Sequence, residues 1–104
     1  PPDSAVLVPQ EQEKLREIGD ILRNYPENDI LVSGHTALAG TPEGRQRLSE
    51  QRAAAVGEFL IDDGVREPER ILYQGFGARR PVADNSTPEG MRKNRRVEIT
   101  ILEN

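Results

Sequence analysis

The strongest constraint on this chain lies between residues 30 and 60. Ile30-Leu31-Val32 is a short continuous apolar run, followed by the turn residues Ser33-Gly34-His35-Thr36. After a loop through Gly40, Thr41-Pro42-Glu43 opens a long amphipathic stretch. Threonine is a good N-cap, proline fits the first helical position, and an acid complements the positive end of the helix dipole. The pattern predicts a helix from Pro42 to about Asp62 or Asp63, with Gly64 as a left-handed C-cap. A strand buried on both faces, next to a helix this long, points to a layered α/β arrangement. Projected at about 100° per residue, Leu48, Ala55, Val56 and Phe59 share a helix face, with Arg52 in the middle of it. Such an arginine snorkels or pairs with an acid, or else its guanidinium is held to grip a carboxylate bidentately.

The flanking sequence completes the layers. Leu15, Ile18, Leu22 and Tyr25 follow the spacing of one buried helix face, so a helix is expected from about Gln10 to Asn24 and stopped by Pro26. It follows the short apolar stretch Ser4 to Gln10. Ile71-Leu72-Tyr73-Gln74 reads as a second strand, ended by Gly75-Phe76-Gly77, with a loop from Ala78 to Glu89 after it. Thr87-Pro88-Glu89-Gly90 repeats the tetrapeptide at Thr41, and both copies read as helix caps. Arg96 to Leu102 alternates, with Val97, Ile99 and Ile101 on one side, as a half-buried strand does. The sum is an α+β fold: one domain over residues 1–104, a mixed sheet with two main helices packed on one face.

Composition removes several function classes. No apolar run approaches the ~20 residues that span a bilayer, and zero cysteines exclude disulfides, zinc–thiolate sites and a cysteine nucleophile. His35 is the only histidine, too few for a metal set, and reads as a packed turn residue rather than a general base. Ser33 and Ser49 lack a nucleophile-elbow context, and Gly75-Phe76-Gly77 lacks the third glycine of a dinucleotide loop. No catalytic constellation and no cofactor site are visible. The net charge is −4, yet Arg79, Arg80, Arg92, Lys93, Arg95 and Arg96 cluster late in the chain. With only four aromatics, that basic run is a poor nucleic-acid surface. It reads instead as a solvated strand edge or a local anion site.

Gly34-His35-Thr36, Gly40, Leu48-Ser49 and Arg52-Ala53, followed by Gly75, Gly77, Pro81, Asn85, Thr87 and Asn94-Arg95-Arg96-Val97-Glu98-Ile99, resemble the signature of OmpA-like peptidoglycan-binding domains. Such domains end OmpA-type porins and occur in peptidoglycan-associated lipoproteins and flagellar stator proteins. The resemblance implies a βαβαβ-type sandwich whose first strand would fall before Pro1, in a domain excised from a longer envelope protein. It implies a non-catalytic, periplasmic module, held to the outer membrane by the rest of its parent and binding the stem peptide of peptidoglycan through its diamino acid. Envelope proteins are further partners, while nucleic acid binding and membrane insertion by the domain itself are not expected.

By the same resemblance Arg52 takes a carboxylate of the diaminopimelate, with Thr36, Asn94 and Arg95 or Arg96 bordering the site. Two positions depart from the pattern. Ala37 stands where the family carries an Asp that takes an ammonium group, and Arg45 stands where many members carry an Asn. The expectation is therefore weakened or altered ligand binding. The alternative is an OmpA-fold scaffold for structural or protein contacts that no longer holds peptidoglycan.

Overall fold

The structure, a computed structural model, describes residues 6–103. The start of the Ser4–Gln10 stretch lies outside them. Within them the order is α1 (Pro9–Leu22), β1 (Ile30–His35), α2 (Pro42–Asp62), a single 3₁₀ turn (Pro68–Arg70), β2 (Ile71–Gly75), α3 (Pro88–Asn94) and β3 (Arg96–Ile101). β1 is the middle strand of a mixed three-stranded sheet, parallel to β2 and antiparallel to β3. Helix α2 packs across β1 and β2, and α1 lies against α2. The βα alternation with two main helices on one face is as the hydrophobic pattern predicts.

Helix α2 begins and ends on the expected chemistry. Thr41 Oγ1 accepts from the Gly44 N–H at 3.0 Å, and Gly64 takes a positive φ of 74° just after the C-cap. The second Thr-Pro-Glu-Gly does the same work: Thr87 Oγ1 accepts from the Gly90 N–H at 2.9 Å. A short third helix therefore starts at Pro88, inside the segment read as loop.

The core is built from Leu15 and Leu22 of α1, Ile30 and Val32 of β1, Ala53, Val56 and Leu60 of α2, then Val65 and Ile71. On α2 the buried positions are Ser49, Ala53, Val56, Gly57 and Leu60. The line through Leu48, Arg52, Ala55 and Phe59 is only half-buried. Arg52 thus flanks the buried face, about a quarter turn around the helix from its centre, and does not sit in the middle of it. The projection missed this because the residues that let α2 approach the sheet are small ones, which carry little hydrophobic weight. At Gly34 a side-chain Cβ would stand 1.8 Å from the Ser49 carbonyl oxygen, and at its register partner Gly75 one would stand 2.5 Å from Ser49 Oγ. The backbone of α2 lies directly on these two glycines. Further along, the Tyr73 ring of β2 covers Gly57.

The arginine that the fold does bury is Arg66, 6% exposed. Its Nε donates to the Asn28 carbonyl at 2.9 Å, its Nη1 to Val65 at 2.8 Å and to Leu22 at 3.2 Å, and its Nη2 to Leu22 and Tyr25. A helix leaves its last carbonyls without intrahelical partners, and a cation suits that negative end. Arg66 therefore caps α1 from a point more than forty residues away in sequence. Helix α1 ends at Leu22, short of the expected Asn24, and Tyr25 is left 48% exposed rather than on the buried face.

Gly34→Ala is expected to lose about 3 kcal/mol, the upper end of the cost of overpacking, because the obstacle is backbone and cannot rotate away. Urea denaturation of the purified variant reads this as a lowered midpoint. The same Ala substitution at exposed Gly40, where nothing stands within 4 Å of the new Cβ but φ is 76°, tests strain without a clash and should cost less.

Candidate functional site

β1 runs out at His35 and delivers Thr36 and Ala37 to the sheet's end, beside the N-terminus of α2. Three local features fix this corner. The Thr36 N–H donates to the Gly77 carbonyl at 2.8 Å, and the Phe76 N–H to the Gly34 carbonyl at 3.0 Å, so the turn after β2 is tied to the end of β1. Ser49 joins the same turn to α2, accepting from the Gly77 N–H at 2.9 Å while its hydroxyl donates to the Gln46 carbonyl at 2.8 Å. The Leu38 N–H donates to Asn85 Oδ1 at 3.2 Å, bringing in the loop before α3.

These ties frame a cleft of about 260 Å³ lined by Thr36, Ala37, Ala39, Gly40, Thr41, Gly44, Arg45, Leu48 and Arg95. Four of the residues singled out in the sequence, Thr36, Ala37, Arg45 and Arg95, therefore meet in one place although 59 positions separate the first from the last. The Arg45 guanidinium donates to the Gly40 carbonyl at 2.7 Å, which orients it along the loop and leaves other N–H groups available. Arg95 follows α3 as its C-cap, half-buried at the cleft wall. Thr36 is 5% exposed, and its Oγ1 has no hydrogen-bond partner among the described residues. No acidic side chain lines the cleft.

The other three candidates are placed differently. Asn94 is fully buried and its amide is committed internally: Oδ1 accepts from the Val82 and Ala83 N–H groups at 2.7 and 2.9 Å, and Nδ2 donates to the Ala83 carbonyl and to Asn85 Oδ1 at 2.9 and 2.8 Å. It is a brace that folds residues 82–85 onto α3. Arg96, on β3, donates from Nε to Glu98 Oε2 at 2.8 Å, and to the Asn94 and Arg80 carbonyls at 3.3 and 3.0 Å. Arg52 stands beside the cleft, one turn along α2 from Leu48, its Nη1 3.4 Å from the His35 carbonyl oxygen.

The residue before Thr36, at the end of β1, has partners that only the fold supplies. His35 is buried, its ring stacked on Phe76 at 5.2 Å with an 11° interplanar angle, and the Arg80 guanidinium lies 4.0 Å from the centre of the same Phe76 ring. Neither ring nitrogen of His35 is hydrogen-bonded among the described residues, though Glu98 Oε1 stands 3.7 Å from Nε2. Burial lowers the His35 pKa below its ordinary 6.5, Arg96 and Arg80 lower it further, and Glu98 opposes them. The hydrogen bond from Arg96 lowers the Glu98 pKa. The packing agrees with the reading of His35 as a packed residue, but Ser33, Gly34 and His35 continue strand β1, paired with Glu98, Val97 and Arg96, where the sequence reading places a turn. Stacking and cation–π geometry leave no trace in spacing, so the partnership with Phe76 and Arg80 was not legible beforehand.

A family model described as the OmpA family matches residues 1–95. The chain belongs to the OmpA family. It is 43% identical over 98 residues to a probable lipoprotein, YiaD, of Escherichia coli, which covers 94% of this chain and 44% of that protein. It is 38% identical over 99 residues to the peptidoglycan-binding protein ArfA of Mycobacterium bovis, covering 95% of this chain and 30% of that protein. Among solved structures, the peptidoglycan-associated lipoprotein from Burkholderia pseudomallei superposes with a TM-score of 0.86 at 29% identity, over 96% of this chain and 84% of that one. The chain thus spans less than half the length of these two curated relatives, and the match to the lipoprotein structure runs through the whole three-strand, three-helix arrangement.

The pH dependence of stability follows from His35. A folded pKa below the unfolded value means that the unfolded chain takes the proton more readily, so stability is full above pH 6.5 and falls as pH drops below it. Glu98, whose folded pKa is also lowered, contributes only as pH falls below its ordinary 4.5. Urea midpoints between pH 6.5 and about 5 should therefore decline in the parent and stay level in His35→Phe, which keeps an aromatic stack on Phe76.

Proposed function

We propose that this chain is a non-catalytic cell-wall-binding module, one domain of a longer envelope protein, that holds a peptidoglycan stem peptide in the cleft between β1 and α2. The observation that carries the reading is the convergence of Thr36, Arg45 and Arg95 on one cleft in a chain of the OmpA family. A guanidinium matches a carboxylate bidentately, and the positive end of α2, which opens with Thr41 and Pro42, favours the same ligand charge. Arg52 is assigned a carboxylate contact from the wall beside the cleft. Asn94 and Arg96 act through the loop and strand that they brace, by holding Arg95 at the rim. The peptidoglycan-binding and peptidoglycan-associated relatives support the ligand class. They also support a place in the cell envelope; within it the module is assigned to the periplasmic side, tethered through the remainder of the parent protein.

Ala37 favours a second reading. The cleft wall there is a methyl group, and no acid is present to hold a ligand ammonium. An OmpA-fold scaffold that contacts other envelope proteins without holding peptidoglycan would have the same architecture.

Calorimetric titration with a soluble muropeptide separates the two. The wall-binding reading expects saturable binding that Arg95→Ala and Arg52→Ala each weaken by about ten- to a hundredfold, the worth of one charge-assisted hydrogen bond. A folded parent that takes up no muropeptide, with binding gained in Ala37→Asp, establishes the scaffold reading instead.

A further inference from the structure

The cleft has a lopsided charge. Two of its nine lining residues are cationic, none is anionic, and the rest are small or apolar apart from two threonines. Arg45 spends one donor on the Gly40 carbonyl. The Arg95 guanidinium makes no hydrogen bond or ion pair among the described residues, and the buried Thr36 hydroxyl is likewise without a partner. The acid nearest in sequence, Glu43 in the first turn of α2, is exposed and does not line the cleft.

A carboxylate entering this space meets two guanidiniums, with the buried, unpartnered Thr36 hydroxyl in the wall behind them. An ammonium meets the same two cations and no acceptor of full charge, and it sheds hydration to get there. An amide in the same place is neutral. Its carbonyl accepts from a guanidinium, and its alkyl part lies against Ala37, Ala39 and Leu48.

We infer that the cleft selects a stem peptide that carries a free carboxylate and whose side-chain amine is acylated, as that amine is at a cross-link between two peptides, over the peptide with the amine free. This preference rests on the wall-binding reading and adds to it the state of the wall being read: cross-linked rather than nascent material.

The test uses three synthetic stem peptides, identical except that the first has a free side-chain amine, the second has that amine N-acetylated, and the third is the acetylated peptide with its carboxylate at the diamino acid converted to carboxamide. Titrated into the folded parent chain, the acetylated peptide is expected to bind about tenfold tighter than the free amine, and the carboxamide about tenfold more weakly than the acetylated peptide. In Ala37→Asp the order of the first two should reverse. Equal or tighter binding of the free amine overturns the inference and leaves wall binding standing. Equal binding of the carboxamide overturns the assignment of the cleft as a carboxylate site. If none of the three binds, the wall-binding reading falls and the selectivity with it. Should Ala37→Asp fail to fold, the comparison of peptides on the parent decides alone.

Discussion

The structure depends on how closely one helix backbone lies on one strand. The Ser49 carbonyl occupies the space where Gly34 would carry a side chain, and the Ser49 hydroxyl faces Gly75 on the neighbouring strand. Neither contact is hydrophobic burial in the usual sense. They are a steric permission granted by two glycines in register, followed by hydrogen bonds, since Ser49 receives the Gly77 N–H. That approach sets the distance between the start of α2 and the end of β1. The cleft is the gap that remains, so its width is decided by residues that do not line it.

A second layer of control comes from the C-terminal third. Asn94 uses both ends of its amide to hold residues 82–85, and Asn85 in turn receives the Leu38 N–H beside the cleft. Arg96 takes the Arg80 carbonyl and pairs with Glu98, next to the stack of His35, Phe76 and Arg80. Three consecutive residues therefore divide the labour. Asn94 and Arg96 are consumed by the fold on either side, and Arg95 is left with its guanidinium to offer.

Much of this was readable from the chain. Alternation in β3, the apolar run in β1 and the two Thr-Pro caps specify the elements, and of the seven positions that the family resemblance singles out, Thr36, Ala37, Arg45 and Arg95 line one cleft while Arg52, Asn94 and Arg96 do not. What was not readable has a common cause. Arg52 was drawn to the middle of a face because the projection weighs apolar side chains, whereas α2 is seated on Ser49, Ala53 and Gly57, which are small. The arginine that is buried, Arg66, has no periodic signal at all: its partners are backbone carbonyls, and every residue has one. His35 could be read as a packed residue, but a ring stacked on another ring needs two segments whose approach is tertiary.

Arg66 also bears on the order in which the chain becomes protected. The Leu22 and Tyr25 carbonyls accept locally from the Tyr25 and Asn28 N–H groups, and they gain the Arg66 guanidinium as a further donor only when residue 66 arrives, after β1 and all of α2 have been laid down. The end of α1 is thus closed by local backbone bonds and reinforced by a distant side chain. Its last turn, the bend that follows and the segment leaving α2 meet around one side chain, so they are expected to open together in hydrogen exchange. One guanidinium thus joins the end of α1 and the bend before β1 to the segment leaving α2, far from both in the chain.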